Sequence, residues 1–272
     1  MLTRVFLIIG FALLPLRADN VLFVGNSFTF GAEAPMVVLY GGVPKLFEAI
    51  ARAKGKEVTA WSVVGPGKDF AWHLKQPATA NALAARTWNW VVLQDYSTRP
   101  THVGDIPGFL RDGATFSDRI AVASPHAGII LYETWARPAV FYTGAPGHDF
   151  TGAQQMMAEL HNSYAQLAAN LAKSNPNREV RVAQVGTAFA RTGDEDPMIN
   201  LNAKDDHHST KEGYYLAALV IYETIYHDSA KGAPTSFMHG LLQYPPDVAA
   251  KLQAVADEIA ATPATPSAAP AK

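Results

Sequence analysis

The run Val21-Leu22-Phe23-Val24-Gly25-Asn26-Ser27-Phe28-Thr29 opens with four consecutive apolar residues. A strand with one face in water alternates apolar and polar residues, whereas a strand covered on both faces is apolar throughout. Further β-type runs occur at residues 58–64, 90–93, 128–132 and 180–185. Because segments with helical spacing lie between these runs, the pattern predicts an α/β protein, a three-layer α/β/α sandwich around a mostly parallel sheet.

The predicted helices span residues 45–54, 78–86, 107–123, 151–173 and 210–227. The alternation of strands and helices is not interrupted by a Gly/Ser-rich linker, a block of like charges or a repeat of fixed period. One domain over residues 19–259 is therefore the simplest interpretation.

The two ends of the chain have compositions that do not favour folded structure. Residues 1–18 resemble a secretory signal, with Arg4 before an apolar stretch at residues 5–16 that is shorter than the roughly 20 residues needed to span a bilayer. This predicts cleavage near Ala18 and a secreted or periplasmic protein without a membrane span; an uncleaved anchor is the alternative. Residues 260–272 are rich in Ala, Pro and Thr, which predicts a disordered tail.

Composition excludes several classes of function. The 272 residues contain no cysteine, which rules out disulfides, a thiolate nucleophile, Cys-ligated zinc and iron–sulfur clusters. The 22 basic and 24 acidic residues give a net charge of −2, and no basic stripe is present, so nucleic acid is not an expected partner. The expected substrate is small, or polymeric and uncharged.

Ser27 is the first candidate for chemistry, because ligand sites in such sheets gather at the carboxyl ends of strands. A small hydroxyl directly after a strand is well placed as a nucleophile, although a serine there also serves as a helix cap. Thr29 stands where the Gly-x-Ser-x-Gly elbow of α/β-hydrolases has its second glycine, so that elbow is not the motif present.

The stretch Lys204-Asp205-Asp206-His207-His208-Ser209-Thr210 is the second candidate. An aspartate three residues before a histidine on a loop can hold the imidazole for work as a base, so Asp205 and His208 form a candidate pair. The same residue types are ordinary in turns and helix caps. Adjacent histidines rarely converge on one ion, so we predict no metal site.

Together, Gly25-Asn26-Ser27 near one end and Asp205-x-x-His208 near the other resemble the first and last sequence blocks of the SGNH (GDSL-like) hydrolases, most closely a secreted bacterial branch. Gly213, five residues after His208, also resembles the last block. The resemblance implies a flavodoxin-like sandwich with Ser27 as nucleophile, His208 as base and Asp205 as the group that orients His208, and it implies no cofactor.

The middle blocks match less closely. Residues 65–69 resemble the second block, which implies that the Gly67 N–H serves an oxyanion hole. The third block of the family usually ends in asparagine, whereas this chain offers Gln94 as the nearest amide donor, with Asn26 as a further candidate that could instead fix its turn. Trp135, in a phrase that also resembles the family, is expected to line a substrate cleft and to stack on a sugar or an acyl chain.

The resemblance implies a serine esterase that cleaves a carboxylic ester, with short acyl groups such as O-acetyl on carbohydrate among its candidate substrates. An O-acyltransferase with the same triad is one alternative. A non-catalytic carbohydrate-binding protein on the same fold is another, favoured by the missing third-block asparagine.

Overall fold

The computed structural model of this protein describes residues 18–138, 143, 149–262 and 264. The strands are β1 (Asp19–Gly25), β2 (Val58–Val64), β3 (Trp90–Leu93), β4 (Gly128–Tyr132), β5 (Val180–Ala183), β6 (Ser236–Phe237) and β7 (Leu242–Gln243). The helices are α1 (Ser27–Phe30), α2 (Pro35–Tyr40), α3 (Gly42–Ala53), α4 (Phe70–His73), α5 (Pro77–Ala84), α6 (Ile106–Ala123), α7 (Ala153–Ser174), α8 (Val185–Glu195), α9 (Lys211–Tyr226) and α10 (Pro246–Ala260). A short 3₁₀ turn at Met238–Gly240 joins β6 to β7, which pair antiparallel.

The first five strands form one parallel sheet in the order β2-β1-β3-β4-β5. This is the flavodoxin-like order, in which the direction of winding reverses between β1 and β3. Ligands of such sheets bind in the crevice outside the carboxyl ends of the strands at that reversal. The segments that begin after Gly25 and Leu93 therefore start at the crevice.

Helices cover both faces of the sheet, as the apolar strands predict. Val21 and Phe23 face a core shared with α3 and α9, whereas Leu22 and Val24 face a second core shared with α6 and α7. Residues 213–225 of α9 are all buried, so this helix is covered on every side over that stretch and lies at the centre of its layer. The predicted three-layer α/β/α fold is confirmed.

The principal difference from the predicted elements is at α8. The sequence pattern extends the fifth strand to Val185, but the strand ends at Ala183 and Val185 begins a helix. Val185, Ala188, Phe189 and Thr192 are buried at helical spacing, so the Val185 side chain belongs to the apolar stripe of the helix. Helix α10 was likewise not predicted.

The chain ends lie mostly outside the described residues. Of the predicted signal segment, residues 1–18, all but Ala18 lie outside the described residues. Most of the predicted tail, residues 260–272, also lies outside them. The start of that tail packs on the domain, because α10 continues to Ala260 and the Thr262 carbonyl accepts a 2.6 Å hydrogen bond from Gln184 Nε2. Over the part of the chain that the structure describes, no helix has the length and apolar character needed to cross a membrane.

Candidate active site

The turn between β1 and α1 presents Ser27 as the first residue of a helix. Asn26 caps this helix, because its side-chain oxygen accepts a 3.1 Å hydrogen bond from the Phe28 N–H. Ser27 is 8% exposed. Its hydroxyl and its backbone N–H both lack a hydrogen-bond partner among the described residues. Ser27 therefore has a free hydroxyl beside a free backbone donor.

Asp205 orients the imidazole of His208. The His208 Nδ1 atom lies 2.6 Å from Asp205 Oδ2, while Asp205 Oδ1 accepts the backbone N–H groups of His207 and His208 at 3.1 and 2.9 Å. Burial acts to raise the pKa of Asp205, but these hydrogen bonds prevail and lower it to about 2. The ionised carboxylate places the ring proton on Nδ1, which leaves Nε2 of His208 as an acceptor with no partner in the described chain.

The loop that carries this pair has a fixed shape. The Ala203 N–H donates to the His208 carbonyl at 2.9 Å, and Asn202 and Ser209 form an antiparallel bridge. Asp206, at the tip, adopts a left-handed conformation with φ of 54°. Aspartate tolerates this conformation better than most residues, which explains how a tight turn can place Asp205 beneath His208.

The structure brings His208 to the helix that begins at Ser27. The imidazole packs edge-on against the ring of Phe28, with 5.6 Å between ring centres. The Tyr214 hydroxyl connects the same two segments, since it donates to the Ala32 carbonyl at 2.8 Å and accepts from the Ser209 N–H at 3.4 Å. The neighbours of Ser27 and of His208 are thus in direct contact, although no hydrogen bond joins the two side chains themselves.

Neighbouring His207 is neutral at physiological pH. Burial, with a further contribution from the Arg137 guanidinium, lowers the pKa of His207 to about 4. Its ring lies 4.5 Å from that of His208 and 5.1 Å from that of Phe28, measured between centres. An uncharged ring at this distance does not oppose a positive charge that forms on His208.

Gly67 contributes a second unpartnered backbone donor on the neighbouring loop. Its φ of 66° is left-handed, a Cβ built there would meet nothing within 4 Å, and its N–H has no acceptor in the described parts of the chain. Lys68 is the residue that follows Gly67, and its carbonyl accepts a 2.9 Å hydrogen bond from Asn26 Nδ2. This bond holds the Gly67 loop against the turn that carries Ser27.

Comparisons with known proteins were made at the level of sequence and of structure. No family model and no curated protein matches the sequence. Three solved structures that this chain resembles in fold are a DUF4886 family protein from Bacteroides uniformis, a protein described as a GDSL-like lipase from Parabacteroides merdae, and a carbohydrate acetylesterase family member from Sinorhizobium meliloti.

The first of these has a TM-score of 0.65 at 16% identity, covering 89% of this chain and 94% of the other. The second has a TM-score of 0.56 at 13% identity, with coverages of 76% and 94%, and the third a TM-score of 0.51 at 15% identity, with coverages of 77% and 98%. This chain has the SGNH (GDSL-like) hydrolase fold. The fold resemblance inferred from the sequence is thereby confirmed.

On this SGNH fold, Gln94 holds the turn that carries Ser27. Its side-chain oxygen accepts the Asn26 N–H and the Thr29 hydroxyl, both at 2.9 Å, and its Nε2 donates to the Asp95 carbonyl. The side chain is 1% exposed. These bonds make Gln94 a positioning residue for the Ser27 turn, and donation to an oxyanion through its second Nε2 hydrogen stays a prediction.

Both the oxygen and the nitrogen of the Asn26 side chain also form hydrogen bonds within the protein. Its side-chain oxygen caps α1, and its Nδ2 donates to the carbonyls of Lys68 and Asp95 at 2.9 and 3.4 Å. Of the two roles considered for Asn26, the hydrogen bonds favour fixing the turn over donating to an oxyanion. Gly25 permits the close packing here, because a Cβ at that position would lie 2.1 Å from Thr29 Oγ1 and 2.8 Å from Gln94 Oε1.

Trp135 does not line a substrate cleft. Its ring is stacked between Phe28, 4.1 Å away at an interplanar angle of 6°, and Phe189, 4.4 Å away at 5°. The side chain is 1% exposed, and its indole N–H donates to the His207 carbonyl at 3.3 Å. Both faces of the ring are covered by protein, so the predicted stacking on a sugar or an acyl chain is wrong. Trp135 instead supports Phe28 and the histidine loop.

Glu33 is a site residue that the sequence did not reveal. Its carboxylate, that of Asp205 and a ring nitrogen of His208 all lie within 4.8 Å of one another. Glu33 is exposed, and its φ of 65° places it on a tight turn after α1. No local motif marks it, because its nearness to the Asp205–His208 pair arises only when α1 and the distant loop meet.

Proposed function

We propose that this protein is a serine esterase in which Ser27, His208 and Asp205 form a catalytic triad. The observation that carries the proposal is the His208 ring, which Asp205 holds through Nδ1 and which packs against Phe28, the residue that follows Ser27. The fold of the solved neighbours, which include esterases and acetylesterases, supports the same chemistry.

In the proposed reaction, Ser27 Oγ attacks the ester carbonyl while His208 Nε2 accepts the hydroxyl proton. The C–O bond to the alcohol then breaks, and the alcohol leaves with the proton returned from His208. The resulting acyl-enzyme is attacked by water, which loses its proton to the same nitrogen, and Ser27 leaves as the free hydroxyl with release of the acid. Asp205 stays ionised throughout, in accord with its lowered pKa.

The backbone N–H groups of Ser27 and Gly67 are the proposed oxyanion donors. Both are without partners among the described residues, and the bond from Asn26 to Lys68 keeps their loops together. Preorganised donors of this kind stabilise the charge that develops on the carbonyl oxygen, at no cost in reorganisation. Asn26 Nδ2 already donates to two carbonyls, so the proposed donors are backbone groups.

The proposed substrates are short acyl esters, including acetyl groups on carbohydrate. The likeness in fold to a carbohydrate acetylesterase family member supports this choice. We further propose that the signal segment is cleaved near Ala18, so that the mature protein begins near Asp19 and acts outside the cytoplasm.

The test is turnover of p-nitrophenyl acetate by wild type and by Ser27→Ala. The variant is expected to lose about 10⁴-fold or more in kcat, because the residual rate of a triad enzyme lacking its nucleophile comes from binding and the oxyanion hole alone. Ser174→Ala is the matched control, since the Ser174 hydroxyl lies at the exposed end of α7 and donates only to the Asn170 carbonyl. Equal turnover by Ser27→Ala and wild type, with both folded, would remove Ser27 from the mechanism.

A further inference from the structure

The Glu33 carboxylate lies beside the Asp205–His208 pair and has no bond of its own. One Glu33 oxygen, one Asp205 oxygen and a ring nitrogen of His208 all lie within 4.8 Å of one another. Within the described parts of the chain, the Glu33 carboxylate accepts no hydrogen bond and forms no ion pair. Its negative charge therefore serves no other side chain that would explain its place next to His208.

Backbone hydrogen bonds fix the turn that carries Glu33. The Ala32 N–H donates to the Ser27 carbonyl at 3.1 Å, and the Ala34 N–H donates to the Gly31 carbonyl at 3.2 Å. Glu33 itself has φ of 65°, a left-handed conformation that is unfavourable for a residue with a Cβ. Strained backbone of this kind is concentrated at functional sites. A side chain that is held in place but bonds to nothing points to a role in the chemistry.

Tyr214 joins the turn of Glu33 to the loop that carries His208. Its hydroxyl donates to the carbonyl that precedes Glu33 at 2.8 Å and accepts a backbone N–H of the loop at 3.4 Å. Burial raises the pKa of Tyr214, and the negative charges of Asp205 and Glu33 raise it further. Both carboxylates thus act on the groups around His208, while Tyr214 itself stays neutral.

The other charges near His208 do not duplicate that of Glu33. Further charged or titratable side chains on the elements around the ring are Lys204, Asp206 and His207 on the same loop, Arg137 after β4, and Tyr214 on α9. The lysine and the aspartate have opposite charges, the histidine and the tyrosine are neutral at physiological pH, and the arginine acts on His207. Asp205 and Glu33 are therefore the carboxylates that face a positive charge on His208.

His208 becomes positive twice in the proposed reaction, when it takes the proton of Ser27 and when it takes the proton of water. A fixed negative charge a few ångströms away stabilises that state without having to move. Before each proton transfer the ring is neutral, so the same charge has little effect on the starting state. The attraction is modest at an exposed site, because water screens it.

We propose that Glu33 is a positioning residue of the esterase, whose carboxylate acts with that of Asp205 to stabilise the positive charge on His208 during ester cleavage. The inference rests on the proposed triad and adds a residue to it. Asp205 holds the ring through a hydrogen bond, whereas Glu33 acts through its charge alone.

The first experiment measures kcat/KM for p-nitrophenyl acetate from about pH 5 to pH 9 in wild type and in Glu33→Gln, which keeps the shape and removes the charge. On the plateau at high pH, the variant is expected to be about two- to fivefold less active. Its acid limb should lie about 0.3–0.7 pH units lower, because the charged ring is less stable without Glu33. Well below that limb the free enzyme already carries the charge, so the two proteins should be equally active.

Glu57→Gln is the matched control, since Glu57 is exposed directly before β2, at the amino end of the sheet and away from the site. It should change neither the plateau nor the acid limb. Glu33→Asp keeps the charge and tolerates the left-handed turn, so it should retain most of the wild-type profile. In about 1 M NaCl the difference between wild type and Glu33→Gln should shrink, because salt screens exposed charges.

An equal loss of kcat/KM at every pH, with no movement of the acid limb, would show a merely structural role for Glu33 and overturn the proposal. Wild-type behaviour of Glu33→Gln would overturn it too, and so would the same changes in Glu57→Gln.

The second experiment does not depend on turnover. In Ser27→Ala, NMR follows the pH at which the His208 ring takes up a proton, with and without Glu33→Gln. A lower midpoint in the double variant supports the role of Glu33 even if Ser27→Ala is fully active and the triad fails. An unchanged midpoint overturns that role even if the triad holds.

Discussion

The backbone N–H of Asn26 donates a 2.9 Å hydrogen bond to the side-chain oxygen of Gln94. This bond joins the residue before Ser27 to the end of β3, and the same oxygen accepts the Thr29 hydroxyl. One buried amide thus fixes both sides of the turn that presents the candidate nucleophile.

Gln94→Leu is expected to destabilise the protein by about 1–3 kcal/mol, because it leaves the buried Asn26 N–H and Thr29 hydroxyl without an acceptor. Esterase activity should fall together with stability, because the turn that carries Ser27 shifts. Thr29→Val removes only one of the two donors and should cost less. Denaturant unfolding checks this: a large loss of kcat at unchanged unfolding free energy would instead indicate that Gln94 acts directly on the oxyanion.

Gly67→Ala is expected to lower kcat/KM by about 10- to 100-fold, because a side chain at positive φ favours relaxation of the loop and turns the N–H away from the oxyanion. Gly55→Ala is the matched control. Gly55 also has positive φ, 80°, and its Cβ would likewise meet nothing within 4 Å. Both variants should lose about 1 kcal/mol of stability, and only Gly67→Ala should lose activity. Parallel losses of activity in the two would argue against a role for the Gly67 N–H.

Trp135→Ala is expected to cost about 3–5 kcal/mol in unfolding free energy, because it empties the space between the rings of Phe28 and Phe189. Thermal and denaturant unfolding measure this loss. Trp61→Ala, at an exposed position, should change stability by no more than about 0.5 kcal/mol. A Trp135→Ala protein of native stability with a raised KM would restore the interpretation that this ring contacts substrate.

The raised pKa of Glu223 leads us to expect that stability depends on pH. Burial and the adjacent carboxylate of Asp257 raise the pKa of Glu223 from 4.5 to about 9. Between these values the folded protein holds a proton that the unfolded chain has released, so unfolding becomes more favourable as the pH rises. Glu223→Gln has no such proton to lose. We expect the variant to gain stability relative to wild type as the pH rises from 4.5 towards 9, and an equal pH dependence of unfolding in both proteins would contradict this.

Much of the fold could be predicted because its strands are buried on both faces. The predicted bounds 90–93 and 128–132 coincide with β3 and β4, whose apolar runs end where the chain leaves the sheet. At Val185 the sequence pattern predicted a strand where the structure has the start of a helix. A β-branched residue after a strand fits either structure locally, and only its packing with Ala188 and Phe189 decides for the helix.

The candidate site was predictable in part, to the extent that it depends on local spacing. The contact between Asp205 and His208 follows from three residues of separation on one loop. The stack of Phe28, Trp135 and Phe189 does not, because its rings come from three distant segments. The missing asparagine suggested a substitute amide at Gln94, but hydrogen-bond partners are a tertiary property, and only the structure shows that this side chain holds the Ser27 turn.

Covalent labelling by a fluorophosphonate tests the triad most directly, because the reagent reacts with a serine only when a neighbouring base activates it. Peptide mapping by mass spectrometry should find one adduct, on Ser27, formed far more slowly in His208→Ala. A folded wild-type protein that remains unlabelled, or one labelled on another serine at a rate that His208→Ala does not change, would contradict the proposed mechanism.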